Sequence, residues 1–202
     1  MIAIVNYGVG NLFSLASSFA AIGQHVKITS DSNDLRHSER IILPGVGAFE
    51  DAARKLFSSG LAEPLIDEAH HGKPLLGICL GMQLLFTKSY EFGEHDGLNL
   101  IPGDVRPIRD VIPADFKIPQ IGWNSLHITN SSGLFANSHE GDYVYFVHSY
   151  SAFCDSGYIT ATTDYGAELT AAVQFGNVYG AQFHPEKSGN AGLNMLRAFC
   201  EV

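Results

Sequence analysis

The chain has 202 residues, of which 46% are hydrophobic and 16% charged, and carries a net charge of −9. This is the size and composition of one ordinary globular domain, able to build a core without disulfide or metal staples. The negative balance argues against a nucleic-acid-binding surface and against an anionic membrane as partner.

Cysteine usage points the same way. Cys79, Cys154 and Cys200 are odd in number and form no C-x-x-C, which fits a reducing compartment and speaks against a disulfide framework or a zinc site. The segment Met1 to Gly8 has no basic leader and is too short for a signal core, and no apolar run reaches membrane-spanning length. A cytosolic, soluble chain is expected, without metal or cofactor.

In chain order, Met1 to Asn6 is rich in Ile and Val, as a strand buried on both faces would be. A glycine turn, Tyr7 to Asn11, leads into a helix whose apolar face is Leu12, Leu15, Phe19 and Ile22 and which stops at Gly23. Strands are expected at His25 to Thr29 and Arg40 to Leu43, and Pro44-Gly45-Val46-Gly47 ends the latter. Helices follow at Ala48 to Phe57 and Leu61 to His71. A fourth strand from Pro74 then runs into Cys79, with a helix continuing to about Lys88. Strands separated by helical crossovers predict an α/β fold with a parallel sheet and helices on both faces.

From Asp104 the pattern becomes β-rich. Short strands are expected at Val105 to Ile108, Ser125 to Thr129, Tyr143 to Tyr150, Tyr158 to Thr163, Leu169 to Phe175 and Val178 to Phe183, with Gly176-Asn177 as a hairpin turn. A helix from Ala191 to Phe199 closes the chain. No repeat or linker separates the halves, so residues 1–202 read as a single domain.

The chemistry centres on Gly77-Ile78-Cys79-Leu80-Gly81, which repeats the glycine spacing of a nucleophile elbow with sulfur in place of oxygen. Small neighbours let strand and helix approach closely around an exposed reactive side chain. A lone thiol needs a base, and the base an orienting group. His184-Pro185-Glu186 supplies both at another strand end, with the imidazole and carboxylate two residues apart. Taken singly, Cys79 is compatible with an inert core cysteine and Glu186 with a helix cap; the three together at strand ends are hard to explain as packing. The Pro44-Gly45-Val46-Gly47 loop is either a plain turn or a source of backbone N–H groups for an oxyanion, with the Leu80 N–H as second donor. Gly8-Val9-Gly10 lacks the third glycine of a dinucleotide fingerprint, because residue 13 is Phe13.

Gly77 to Gln83 with Phe183 to Glu186 resembles the class I (triad) glutamine amidotransferases. Asn6 to Leu12, Pro44 to Phe49, Ile121 to Asn124, Tyr145 to Tyr150 and His184 to Ser188 narrow the resemblance to the glutaminase subunits of imidazole glycerol phosphate synthase. These stretches span nearly the whole chain. The resemblance implies a flavodoxin-like, mostly parallel sheet with flanking helices, a Cys79, His184, Glu186 triad, and an oxyanion site from Leu80 and Gly45, Val46 and Gly47. It further implies that glutamine is held by Gln83, Glu91, Ser149 and Tyr150, and that hydrolysis to glutamate and ammonia passes through a cysteine thioester. The partner implied is a (β/α)8-barrel cyclase in a heterodimer, docked near Asn11, Trp123, Asn124, Tyr150 and Lys187. It would use the ammonia to make imidazole glycerol phosphate and aminoimidazole carboxamide ribonucleotide. The two glycines flanking Val46 suggest that a peptide of this loop reorients when the partner is loaded. A glutaminase of pyridoxal phosphate synthesis shares the triad, but Gly122-Trp123-Asn124 and His148-Ser149-Tyr150 favour the first family; a silent scaffold is disfavoured by the intact triad.

Overall fold

A computed structural model describes all 202 residues. The first half alternates strand and helix: β1 (Ile2–Val5), α1 (Leu12–Ala21), β2 (Val26–Thr29), α2 (Ser32–His37), β3 (Arg40–Gly45), α3 (Phe49–Ser58), α4 (Ala62–His70) and β4 (Leu75–Cys79). Next come α5 (Leu80–Leu84), β5 (Phe86–Ser89), β6 (His95–Asp96), β7 (Ile101–Pro107), β8 (Gln120–Ser125), β9 (His127–Ile128), β10 (Tyr143–His148) and β11 (Tyr150–Phe153). The chain ends with β12 (Ile159–Asp164), β13 (Glu168–Phe175), β14 (Val178–Ala181) and α6 (Gly189–Glu201).

The main sheet has the order β2-β1-β3-β4-β14-β13-β12-β9. Its first five strands are parallel, in the flavodoxin-like order, and β13, β12 and β9 extend it antiparallel. The final strands therefore complete a sheet begun by the first. Alternate residues of β1 serve opposite faces: Ala3 and Val5 pack with α3 and α4, Ile2 and Ile4 with α1 and α6. Each of Phe19, Phe183 and Phe199 is fully buried in the second layer, worth about 1.5–3 kcal/mol apiece.

Several expectations shift. The helix after Cys79 stops at Leu84 instead of reaching Lys88. The carbonyls of Leu84, Leu85 and Phe86 accept from the N–H groups of Leu98 to Ile101, so the chain turns into β5 in place of a further helical turn. The stretch expected as one strand from Tyr143 to Tyr150 is two, broken at Ser149, with β10 paired to β8 and β11 paired to β7. The sheet is mixed beyond β14, and α2 and β8 lie where no element was expected.

The elbow is the tightest place in the fold. A Cβ on Gly81 would stand 1.9 Å from the Leu43 carbonyl oxygen, one on Gly77 2.6 Å from the Gly81 oxygen, and one on Gly45 2.5 Å from the Gly81 nitrogen. All three neighbours are backbone atoms and cannot rotate away. Gly81→Ala is accordingly expected to cost more than about 2 kcal/mol in urea unfolding. Gly157→Ala, which meets only the Asp155 carboxylate at 3.1 Å, should stay within about 0.5 kcal/mol.

Candidate active site

Cys79 ends β4 and immediately precedes α5, with φ 55° and ψ −114°. Such a backbone costs a non-glycine residue about 1–3 kcal/mol. It is held because β4 is hydrogen-bonded on both sides, to β3 and β14, while Gly81 lets α5 close over β3. Gly45 lies opposite Cys79 in register, which brings the Pro44–Gly47 loop to the thiol.

His184 follows β14, the other neighbour of β4. Its backbone N–H donates to the Tyr145 carbonyl at 2.9 Å, and its Nδ1–H donates to Glu186 Oε1 at 2.8 Å. The two side chains are only 3% and 4% exposed. Burial pulls the imidazole pKa down, but hydrogen bonds and charge from Cys79 and Glu186 outweigh it and raise it to about 9. The second oxygen of Glu186, Oε2, is buried without a hydrogen-bond partner, so the bond to His184 is the carboxylate's only one.

A cavity of about 280 Å³ opens over the thiol, lined by Val46, Gly47, Cys79, Leu80, Gln83, Glu91, His148, Ser149, Tyr150 and His184 among others. It thus gathers every residue expected to bind substrate. Gln83 Nε2 donates to the Tyr150 carbonyl at 3.1 Å and to Gln182 Oε1 at 2.9 Å. Both hydrogens are committed, and only its carbonyl remains for a ligand. Glu91 Oε2 accepts from the Phe49 N–H at 2.6 Å, at the start of α3; half-burial raises its pKa, against that bond and the charge of His95. Gly47 has φ +94° with open space around it, and Val46 is 41% exposed.

Residues outside the expected catalytic and substrate-binding sets also border the site, together with those expected at the partner face. Tyr7 is buried and donates to the Pro44 carbonyl at 2.8 Å, fixing the start of the glycine loop; burial first, then the Cys79 charge, raise its pKa. His148 Nδ1 donates to the Tyr150 carbonyl at 2.8 Å, and its Nε2 lies 2.9 Å from Gln120 Oε1. Desolvation holds His148 down to about 4. Gln120 Nε2 donates to Asn124 Oδ1 at 3.0 Å, linking the cavity wall to one of the residues expected at the partner face. Trp123, 61% exposed, packs edge-on to Tyr145 at 4.8 Å, and Lys187 Nζ stands 5.4 Å from the centre of the same ring. Asn11 caps α1, accepting from the Ser14 N–H. No metal-holding group of His, Cys, Asp or Glu is present.

The thiol elbow, the buried imidazole–carboxylate pair and the flavodoxin-like sheet define an amidotransferase architecture, and the family Glutamine amidotransferase class-I matches residues 3–202, so the chain belongs to it. Within it, the chain belongs with the imidazole glycerol phosphate synthase subunits HisH. It is 46% identical to that subunit from Caldanaerobacter subterraneus subsp. tengcongensis and 49% identical to the one from Methanothermobacter thermautotrophicus, covering 100% of this chain and 98% of each relative. Solved structures share the fold: a glutamine amidotransferase at TM-score 0.77 and 19% identity, covering 100% of this chain and 98% of that one, and Thermotoga maritima PurLQS at 0.73 and 20%, covering 99% and 97%.

The two buried histidines set opposite pH dependences. His184, raised from 6.5 to about 9, contributes stability that is full below pH 6.5 and lost as pH climbs to about 9. His148, lowered to about 4, contributes stability that is present above pH 6.5 and lost as pH falls to about 4. Chemical unfolding from pH 6.5 to 9 is therefore expected to show a decline that Glu186→Gln makes shallower, while the decline from pH 6.5 to 4 persists in that variant.

Proposed function

We propose that the chain is a single glutaminase domain, residues 1–202, that hydrolyses glutamine through a Cys79 thioester and delivers ammonia to a (β/α)8-barrel cyclase in the cytoplasm. The observation that carries this is Cys79 and His184 lining one cavity, with the buried Glu186 carboxylate behind His184 accepting its Nδ1–H at 2.8 Å. Family membership supports the substrate and the partner: the relatives named above are imidazole glycerol phosphate synthase subunits.

Glutamine enters with its α-ammonium toward Glu91 and hydrogen bonds from its polar groups to the Gln83 carbonyl, Ser149 and Tyr150. The Cys79 thiolate attacks the side-chain amide carbon, and charge builds on the amide oxygen. The Leu80 N–H, at the start of α5 without an intrahelical acceptor, is one donor to that oxygen. A peptide N–H of the Gly45–Gly47 loop is the second. His184 gives its proton to nitrogen as the C–N bond breaks, ammonia departs, and a thioester remains. Water then attacks the thioester, His184 takes its proton, and glutamate leaves as the thiolate re-forms. Glu186 keeps the imidazole oriented throughout.

The loop is suited to regulation. Gly47 at positive φ, with nothing near it, permits a peptide flip that a side chain would obstruct. Exposed Val46 and the Trp123, Tyr145 and Lys187 cluster lie where a docked cyclase would bear on it. Asn11 and Asn124 extend the same contact face.

Replacing Cys79 by alanine is expected to abolish glutamine-dependent synthesis by the complex while leaving synthesis from ammonium salts; glutamine use by that variant would overturn the assignment. The isolated chain should hydrolyse glutamine at least about tenfold more slowly than its complex with a ligand-loaded cyclase, and equal rates would remove the loop mechanism.

A further inference from the structure

Beneath the thiol lies a chain of amide groups whose polarity is fixed from one end. The Tyr150 carbonyl can only accept, so the Gln83 terminus facing it at 3.1 Å is the NH2. That nitrogen also lies 2.9 Å from Gln182, which must therefore present its oxygen. The remaining terminus of Gln182, its NH2, faces Cys79 Sγ at 3.9 Å. Reversing either amide would set like groups against each other, and reversing Gln182 would also turn an oxygen toward the sulfur. Gln182 is fully buried, with no solvent to compensate such a reversal.

We infer that Gln182 is a positioning residue for the Cys79 sulfur: its buried N–H donates to the thiolate, and the Tyr150 carbonyl sets the direction of that donation through Gln83. The inference rests on the proposed role of Cys79 as nucleophile. It adds something His184 cannot provide. His184 loses its proton when ammonia departs, whereas an amide keeps its hydrogens through the whole cycle. The amide thus stays beside the sulfur through the thioester stage, where the imidazole is uncharged, and is in place to donate when the thiolate re-forms. The same chain gives Tyr150 a main-chain role besides that of its side chain, because its carbonyl collects both Gln83 and His148.

The test is the pH dependence of Cys79 alkylation by iodoacetamide in the full chain, measured for wild type, Gln182→Met and Gln182→Glu. Methionine keeps the length and removes the donor, while Gln83 retains Tyr150. The alkylation midpoint is expected to rise by about half to one pH unit, and kcat for glutamine hydrolysis at neutral pH to fall about tenfold with KM changed less than about twofold. Glutamate preserves the oxygen that faces Gln83 but brings a carboxylate to the sulfur, and should raise the midpoint at least as far. Wild-type midpoints in both variants, even with activity lost, would overturn the inference and leave Gln182 a packing residue. Should neither variant fold, wild-type protein labelled with ¹⁵N-glutamine decides: the Gln182 side-chain resonances are expected to move with the Cys79 titration, and their constancy would equally overturn it. A wild-type protein that keeps its activity after Cys79 alkylation would instead refute the nucleophile assignment, and this inference with it.

Discussion

The approach of Gly81 to the Leu43 carbonyl is the contact on which the rest of the rim depends. At a distance that admits no side chain, α5 crosses the end of β3, and three consequences follow from that one closeness. Cys79 is forced into positive φ at the strand's end, the first N–H groups of α5 are set beside the glycine loop, and Gly45 is brought opposite the thiol. A larger residue at position 81 would separate these parts together. The strained backbone at Cys79 is sustained by the sheet around it, since β4 is hydrogen-bonded along both edges.

Electrostatics then sort two histidines that border one cavity. His184 has a carboxylate and a sulfur within reach and is biased toward the cation; His148 has only neutral partners and is biased toward the neutral form. The difference arises from the second residue each ring touches, since both are buried. Glu186, with one oxygen unpartnered, has no other cation to answer its charge directly, which ties its burial to that of His184. A buried pair of this kind is poor evidence of stability and good evidence of orientation.

The sequence made the elbow and the His184-Pro185-Glu186 segment legible because chemistry requires a particular spacing there and glycine marks the close approach. The apolar run of β1, rich in Ile and Val, and the crossover helices likewise announced the parallel half. What stayed hidden depended on distant partners. Leu84-Leu85-Phe86 suits helix or strand, and only the carbonyl acceptors taken by residues 98–101 settle it. The β8 strand is flanked by Pro119 and interrupted by Gly122, so it lacked the usual signal and is fixed by pairing with β10. Gln182 carries no motif of its own, and Tyr7, though part of the Asn6 to Leu12 stretch, gave no sign there of its bond to the Pro44 carbonyl. Gln182 sits only two residues before His184, but its burial is not visible in the sequence and its partner Gln83 is remote along the chain.

Tyr145 is shared property. Its main chain accepts from the His184 N–H and donates to the Ser188 hydroxyl, while its ring supports exposed Trp123 and Lys187. The imidazole's own peptide and the outer aromatic cluster thus hang on the two ends of a single residue, with no intervening side chain to absorb play. Mechanically this is a short lever: a tilt of the outer ring that carries its backbone along is delivered undamped to the backbone that aims the imidazole. A body seated against that cluster would therefore alter reactivity without ever entering the cavity.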